Sequence, residues 1–167
     1  MWKMKIPLLL LPIILITTIL RGGCQYFQPV SPQPPLPDSQ LSYLYFSESG
    51  SYYKRVQGYE FRAEDGKLTA YFYMANEDEL YPVEVDQPWV DVLNGFITEY
   101  AMTAWDGFHG SAPGLLDGTQ FYMEFALKDG TTVKAGGYGD FPAGYRDATA
   151  AIDAHFMQLL PEDMRDW

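Results

Sequence analysis

Residues 59–74 read Y-E-F-R-A-E-D-G-K-L-T-A-Y-F-Y-M, and the reading of this stretch decides the fold. Tyr59, Phe61 and Ala63 alternate with Glu60, Arg62 and Glu64, the period of a strand with one buried face. Asp65-Gly66 follows, a dipeptide suited to the positive φ angles of a tight hairpin. A two-residue turn there sets Ala63 opposite Leu68, Phe61 opposite Ala70 and Tyr59 opposite Phe72. All six then share one face, with Met74 continuing it. The other face shows Glu60, Arg62, Thr69, Tyr71 and Tyr73. A slip of one residue would exchange the two faces, so the apolar pattern fixes the register.

Working outward, Leu41–Ser47 reads as a strand before this hairpin, whose first arm extends back to Tyr52 beyond a turn at Ser49-Gly50-Ser51. Asn76–Glu79 is an acidic turn, and Tyr81–Val85 is a short fourth strand that Pro82 assigns to a sheet edge. Asp86 then stands as an N-cap with Pro88 in the first turn. Trp89, Val92, Leu93, Phe96, Ile97 and Tyr100 follow at helical spacing, and Gly95 marks a point of close packing. Gln120–Lys128 and Thr131–Gly137 form a second hairpin. Here a two-residue turn would set Phe125 opposite Lys134. A three-residue loop, Lys128-Asp129-Gly130, instead pairs Phe125 with Val133 and Met123 with Ala135, with Gly130 left-handed in a G1 bulge. Pro142 opens a last helix whose stripe is Tyr145, Ala148, Ile152, Phe156 and Leu159, with His155 at its boundary; Leu160-Pro161 ends it. The order is ββββ-α-ββ-α. It predicts an α+β domain over residues 41–160, one antiparallel sheet with two helices packed on one face, and an acidic, fraying tail over 161–167.

Between the first helix and the second hairpin lies W-D-G-F-H-G-S-A-P-G-L-L-D-G, Trp105–Gly118. Gly107, Gly110, Gly114 and Gly118 permit tight backbone paths, and Trp105 and Phe108 give the loop something to bury. Trp105, Asp106, Gly107, Phe108, Gly110, Asp117 and Gly118 are therefore read as a structural loop. The run resembles the W-D-G-F-x-G-S-x-P…L-D-G pattern of small bacterial secreted and lipoprotein domains of uncharacterised function. That resemblance covers roughly Leu41–Leu160 and implies a shared fold and a bacterial envelope setting. It implies no activity.

The N-terminus carries an address. Lys3 and Lys5 precede an apolar run, Ile6–Leu20, which is shorter than the roughly 20 residues a membrane span needs and has the length of a secretory h-region. Gly22-Gly23-Cys24 follows. The segment resembles a bacterial lipoprotein signal peptide over residues 1–23. The resemblance implies that Cys24, the single cysteine, carries the acyl groups (palmitate among them) and becomes the mature N-terminus. Arg21 departs from that pattern, which prefers an aliphatic residue there; an uncleaved anchor is the second reading. Residues 24–40 are the lipid-bearing cysteine and a proline-rich tether, extended rather than packed. The localisation expected is the bacterial cell envelope, anchored on the outward side of a membrane.

With one cysteine, neither an intrachain disulfide nor a cysteine-rich metal site can form. A net charge of −11 repels nucleic acid, so no nucleic-acid partner is expected. His109 and Ser111 share the loop with Asp106 and Asp117, the ingredients of a hydrolytic triad. No G-x-S-x-G elbow frames Ser111, and residues this close in sequence rarely reach triad geometry. Asp106 and Asp117 offer oxygen ligands for a hard cation, without the spacing of an EF-hand. The bland reading outweighs both: Ser111 turns the chain, His109 is exposed, and neither a cofactor nor a metal is expected. The tyrosines carry more. Tyr71 and Tyr73 share the outward sheet face, and Tyr122 and Tyr138 extend it, a surface suited to an envelope protein or a glycan. The first reading is thus a non-enzymatic, envelope-anchored binding or accessory lipoprotein domain. The second is a hydrolase or cation-dependent enzyme built on the Trp105–Gly118 loop.

Overall fold

A computed structural model describes residues 40–50, 56–75 and 80–165. The signal segment, Cys24, the tether before Gln40, residues 51–55, the expected turn at residues 76–79 and the last two residues lie outside the described residues. The described chain is an α+β domain built on one sheet. Its strands are β1 (Leu41–Ser49), β2 (Val56–Glu64), β3 (Lys67–Met74), β4 (Tyr81–Glu84), β5 (His109–Ser111), β6 (Gln120–Leu127) and β7 (Thr132–Tyr138). The helices are α1 (Gln87–Glu99), α2 (Tyr145–Met157) and α3 (Glu162–Arg165), with a 3-10 turn at Met102–Trp105. The sheet order is β4-β3-β2-β1-β6-β7-β5.

Both hairpins adopt the registers that the apolar pattern requires. Ala63 faces Leu68, Phe61 faces Ala70 and Tyr59 faces Phe72, with Asp65 and Gly66 at φ +52° and +77°. Phe125 faces Val133, Met123 faces Ala135, and Gly130 sits at φ +91°. Strand β1 joins the hairpins: Phe46 is opposite Tyr59 on one side and Met123 on the other. One face of the sheet is therefore continuous and apolar. Trp89 of α1 lies against Phe61, Phe156 of α2 against Tyr59 and Phe72, and Tyr145 of α2 against Phe46 and Phe121.

The sequence expectations need correction at several points. The sheet is mixed, because β5 runs parallel to β7, pairing His109–Ser111 with Gly136–Tyr138. Three residues inside a glycine-rich loop carry no strand periodicity, so this edge pairing left no mark in the pattern. The described residues hold three α-helices where two were expected: α3 occupies the acidic tail, where Arg165 Nε and Nη2 donate to the Leu160 and Gln158 carbonyls and Met164 packs on the core. In α1, Asp86 caps the helix by accepting from the Trp89 amide at 3.0 Å, but the buried positions are Val90, Leu93 and Ile97. Val92 is exposed; the stripe is rotated by a fraction of a turn, which a ring of apolar residues wide enough to allow either face does not reveal. Gly95 faces open space rather than a close neighbour. His155 is buried, not marginal: its ring stacks on Trp89 at 4.5 Å and meets Phe96 edge-on, and its Nε2 donates to the Trp89 carbonyl at 2.9 Å.

Candidate functional site

The face of the sheet opposite the helices is organised around a carboxylate. Glu60 is 2% exposed, although it points to the side that no helix among the described residues covers. A buried carboxylate needs partners. It has two: Arg62 Nε and the Tyr73 hydroxyl each donate to it. Tyr45, directly opposite Glu60 on β1, lays its ring edge-on against Tyr73 at 5.3 Å and beside Tyr122 at 5.8 Å. The Arg62 guanidinium lies over the Tyr71 ring, 4.9 Å from its centroid, a cation–π contact. At the next strand, Tyr122 donates to Glu124 at 2.7 Å, and Glu124 pairs with Lys134 at 2.9 Å. The result is a row of rings from β3 to β6, each held by a neighbour.

The electrostatics follow from that arrangement. Burial, then the hydrogen bond to Glu60, pushes the Tyr73 phenol well above its ordinary range. Burial, then the Glu60 and Glu124 charges, raises Tyr43. The bond to Glu124 raises Tyr122. The Lys134 ammonium, then the Tyr122 hydroxyl, hold Glu124 below the usual carboxylate range. At neutral pH the three phenols are thus protonated and keep their donors.

Tyr71 and Tyr73 do stand on this outward face, half-buried, and Tyr122 joins them at 39% exposed. Tyr138 is used differently: its hydroxyl donates to the Leu116 carbonyl at 3.0 Å, tying the loop to the sheet. Sequence reasoning missed Tyr43 and Tyr45. The signal was present, since Leu44 and Phe46 alternate with them and point inward. It also placed Glu60 and Arg62 on this face without recognising the carboxylate as its centre.

The Trp105–Gly118 run is structural along much of its length. Trp105 is 3% exposed, and its indole donates to the Ala143 carbonyl at 3.1 Å. Phe108 stacks on Phe121. Asp106 accepts from the Lys134 amide at 3.1 Å, and the Gly107 amide, in the left-handed region, donates to the Lys134 carbonyl at 2.9 Å. These bonds clip the loop to β7. At Gly110 a Cβ would fall 2.6 Å from the Phe108 ring, and at Gly118 it would fall 2.2 Å from Leu115. His109, Ser111 and Asp117 are exposed, and Asp106 is engaged with backbone; no hydrogen bond or ion pair brings the four together. Among the described residues there is no group of three or more His, Cys, Asp or Glu side chains placed to hold a metal ion, and no helix long and apolar enough to cross a membrane.

Over the described residues these features define an α+β domain with one helix-covered and one open sheet face, the open face bearing the tyrosine row. No family model matches the chain, and no match is found among the curated proteins.

Proposed function

We propose that this protein is a non-enzymatic binding or accessory domain, held at the bacterial cell envelope through a lipid on Cys24, and that the tyrosine row contacts its partner, an envelope protein or a glycan. The observation that carries the reading is the network around Glu60. A surface tyrosine with free rotamers loses conformational entropy when it is captured, about 0.5–1.5 kcal/mol for a mobile side chain. Here Tyr73 is tied to Glu60 and Tyr71 lies beneath Arg62, so that ordering is already present in the free protein. The basic start, short apolar run and Gly-Gly-Cys end support the anchor, and the resemblance of the Trp105–Gly118 run to envelope domains supports the setting.

Two double variants, each compared with deletion of the gene, test the reading. Tyr71→Ala with Tyr122→Ala should reproduce the deletion phenotype while circular dichroism stays native. His109→Ala with Ser111→Ala should leave the phenotype of the intact gene. The opposite pattern would restore the hydrolase or cation-dependent reading. Mass spectrometry of the envelope protein tests the anchor: an acylated Cys24 is expected, and an unmodified one would remove the lipoprotein assignment.

A further inference from the structure

The two edges of the sheet, β4 and β5, are finished differently. At β4 the Val85 amide donates to the Leu68 carbonyl at 3.0 Å, so Tyr81 and Val83 also turn their backbone groups toward β3. The alternate positions, Pro82 and Glu84, face outward. Proline at the first of these removes an amide from the open side, a guard against strand addition. At β5 the Gly136 amide donates to the Phe108 carbonyl and the Ala112 amide to the Tyr138 carbonyl, each at 2.9 Å. The residues that alternate with these, His109 and Ser111, therefore point their N–H and C=O groups away from the sheet. Among the described residues no hydrogen bond uses those backbone groups. We infer that β5 takes an extended segment of a partner protein as a further strand, and that this segment carries basic residues around an apolar one.

Three observations lead to this partner. First, the edge is open and unguarded. His109 and Ser111 are exposed, and neither is a proline or a lysine, the residues that blunt an edge. An added strand finds donors and acceptors already in line, and main-chain bonds of this kind supply the affinity of strand addition. Second, an apolar anchor stands beside the edge. Leu116 is 91% exposed, the most exposed of the large apolar side chains among the described residues. It is held in that position: Tyr138, opposite Ser111 in the register, donates its hydroxyl to the Leu116 carbonyl, and Leu115 packs against Gly118 and Gly139. A fixed leucine at the end of an open edge gives an apolar side chain of the partner a place to rest, which sets the register of the added strand. Third, the surroundings are acidic. Asp106 precedes β5, Asp117 follows Leu116, and a Cβ at Gly110 would fall 2.8 Å from Asp140 Oδ2. All three carboxylates are exposed, and among the described residues no lysine or arginine pairs with them. A second copy of the chain would bring the same carboxylates, and its own net charge of −11, against this edge. Charge complementarity therefore selects a basic segment over self-pairing. The contact runs through the backbone, so it needs neither the His109 nor the Ser111 side chain, and it is separate from the tyrosine row.

The test uses the full chain in mild detergent. The probe is a capped peptide of about seven residues, the length of an ordinary strand, in which valine and threonine alternate between terminal lysines. Binding is followed by backbone amide shifts and hydrogen exchange. One comparison peptide has all its internal amides N-methylated, and another has terminal glutamates. The expected result is saturable binding of the first peptide with slowed exchange at the His109 and Ser111 amides. The N-methylated peptide should not bind, and the glutamate peptide should bind roughly tenfold more weakly. Ser111→Pro removes one outward amide without touching the bonds to β7 and should weaken binding roughly tenfold, whereas Ser111→Ala should leave it unchanged. The comparison peptides decide the matter if the proline variant does not fold. Tyr71→Ala with Tyr122→Ala should bind the probe as the wild type does; loss there would assign the probe to the tyrosine row and overturn the inference. So would no saturable binding, equal binding of the N-methylated or the glutamate peptide, or protection at β4 in place of β5. A concentration-dependent dimer of the protein alone that protects the same two amides would make a second copy the occupant and equally overturn it.

Discussion

The two faces of the sheet are held in place by different physics. On the inner face Phe61, Phe72, Phe125 and Ala135 are fully buried, and rings from α1 and α2 close over the sheet. That side is fixed by apolar area removed from water and by close packing. On the outer face no helix among the described residues covers the tyrosines; their positions come from a buried carboxylate, a guanidinium and hydrogen bonds at register-matched sites. The inner face is insensitive to which apolar residue is used, provided that volume is conserved. The outer face depends on chemical identity at Glu60. A protein can thus carry its stability on one side and keep an ordered, open surface on the other.

Substitutions ranked by their effect on stability sharpen the contrast. The largest belong to the inner side and to the loop that closes its end. Phe72→Ala and Trp105→Ala should each cost about 3–5 kcal/mol, the range for truncating a buried aromatic. That is a large share of the 5–15 kcal/mol that holds an ordinary domain together. Urea unfolding measures it; a midpoint unchanged by Trp105→Ala would mean the loop is not an anchor. Glu60→Ala comes next, at about 1–3 kcal/mol, because it strands the Tyr73 hydroxyl and part of Arg62 on a face with little else to satisfy them. It should also release Tyr73, visible as a fall of its phenol pKa toward the ordinary value in an ultraviolet titration.

A smaller effect separates the faces by pH. Burial lowers the His155 pKa, and the hydrogen bond to the Trp89 carbonyl opposes this in part. The unfolded chain then takes up a proton near pH 6.5 that the folded chain resists, so stability falls as pH drops below that value and is flat above it. The Tyr43, Tyr73 and Tyr122 phenols of the outer face are all raised and contribute nothing in this window. The difference between wild type and His155→Gln, followed by thermal unfolding from pH 7.5 to 5, isolates the contribution: the wild type should lose stability over this range relative to the variant. A variant that loses as much as the wild type would assign the whole slope to carboxylates elsewhere.

The sequence showed much of this division because it is written in strand alternation. The period-two pattern of residues 59–74, with Asp65-Gly66 at its centre, determines which side chains point inward, and a slip would bury Glu60 and Arg62 in the core. The second hairpin was legible for the same reason, since only the three-residue loop kept Phe125 off Lys134. Elsewhere the signal was too short or too symmetrical. His109–Ser111 is a strand only by pairing with β7, His109 with Gly136 and Ser111 with Tyr138, a long-range contact that no local pattern records. In α1, Trp89, Val90, Val92 and Leu93 are all apolar, so tertiary packing rather than periodicity chose the buried face. His155 became a core residue because Trp89 and Phe96 of another helix close around it.

Changes at the outer rings should have the smallest effect on stability. Tyr71→Ala and Tyr122→Ala remove partly exposed side chains, and each should stay within about 0.5 kcal/mol of wild type. Their effect lies in contact. The most direct measurement places a photo-crosslinking benzophenone side chain at Tyr71, at Tyr122 and, as the comparison, at Val92 on the exposed side of α1, in cells that carry the otherwise intact protein. The account predicts a discrete crosslinked species from both outer-face positions and none from Val92. Crosslinking from Val92 alone, or from none of the three, would contradict it.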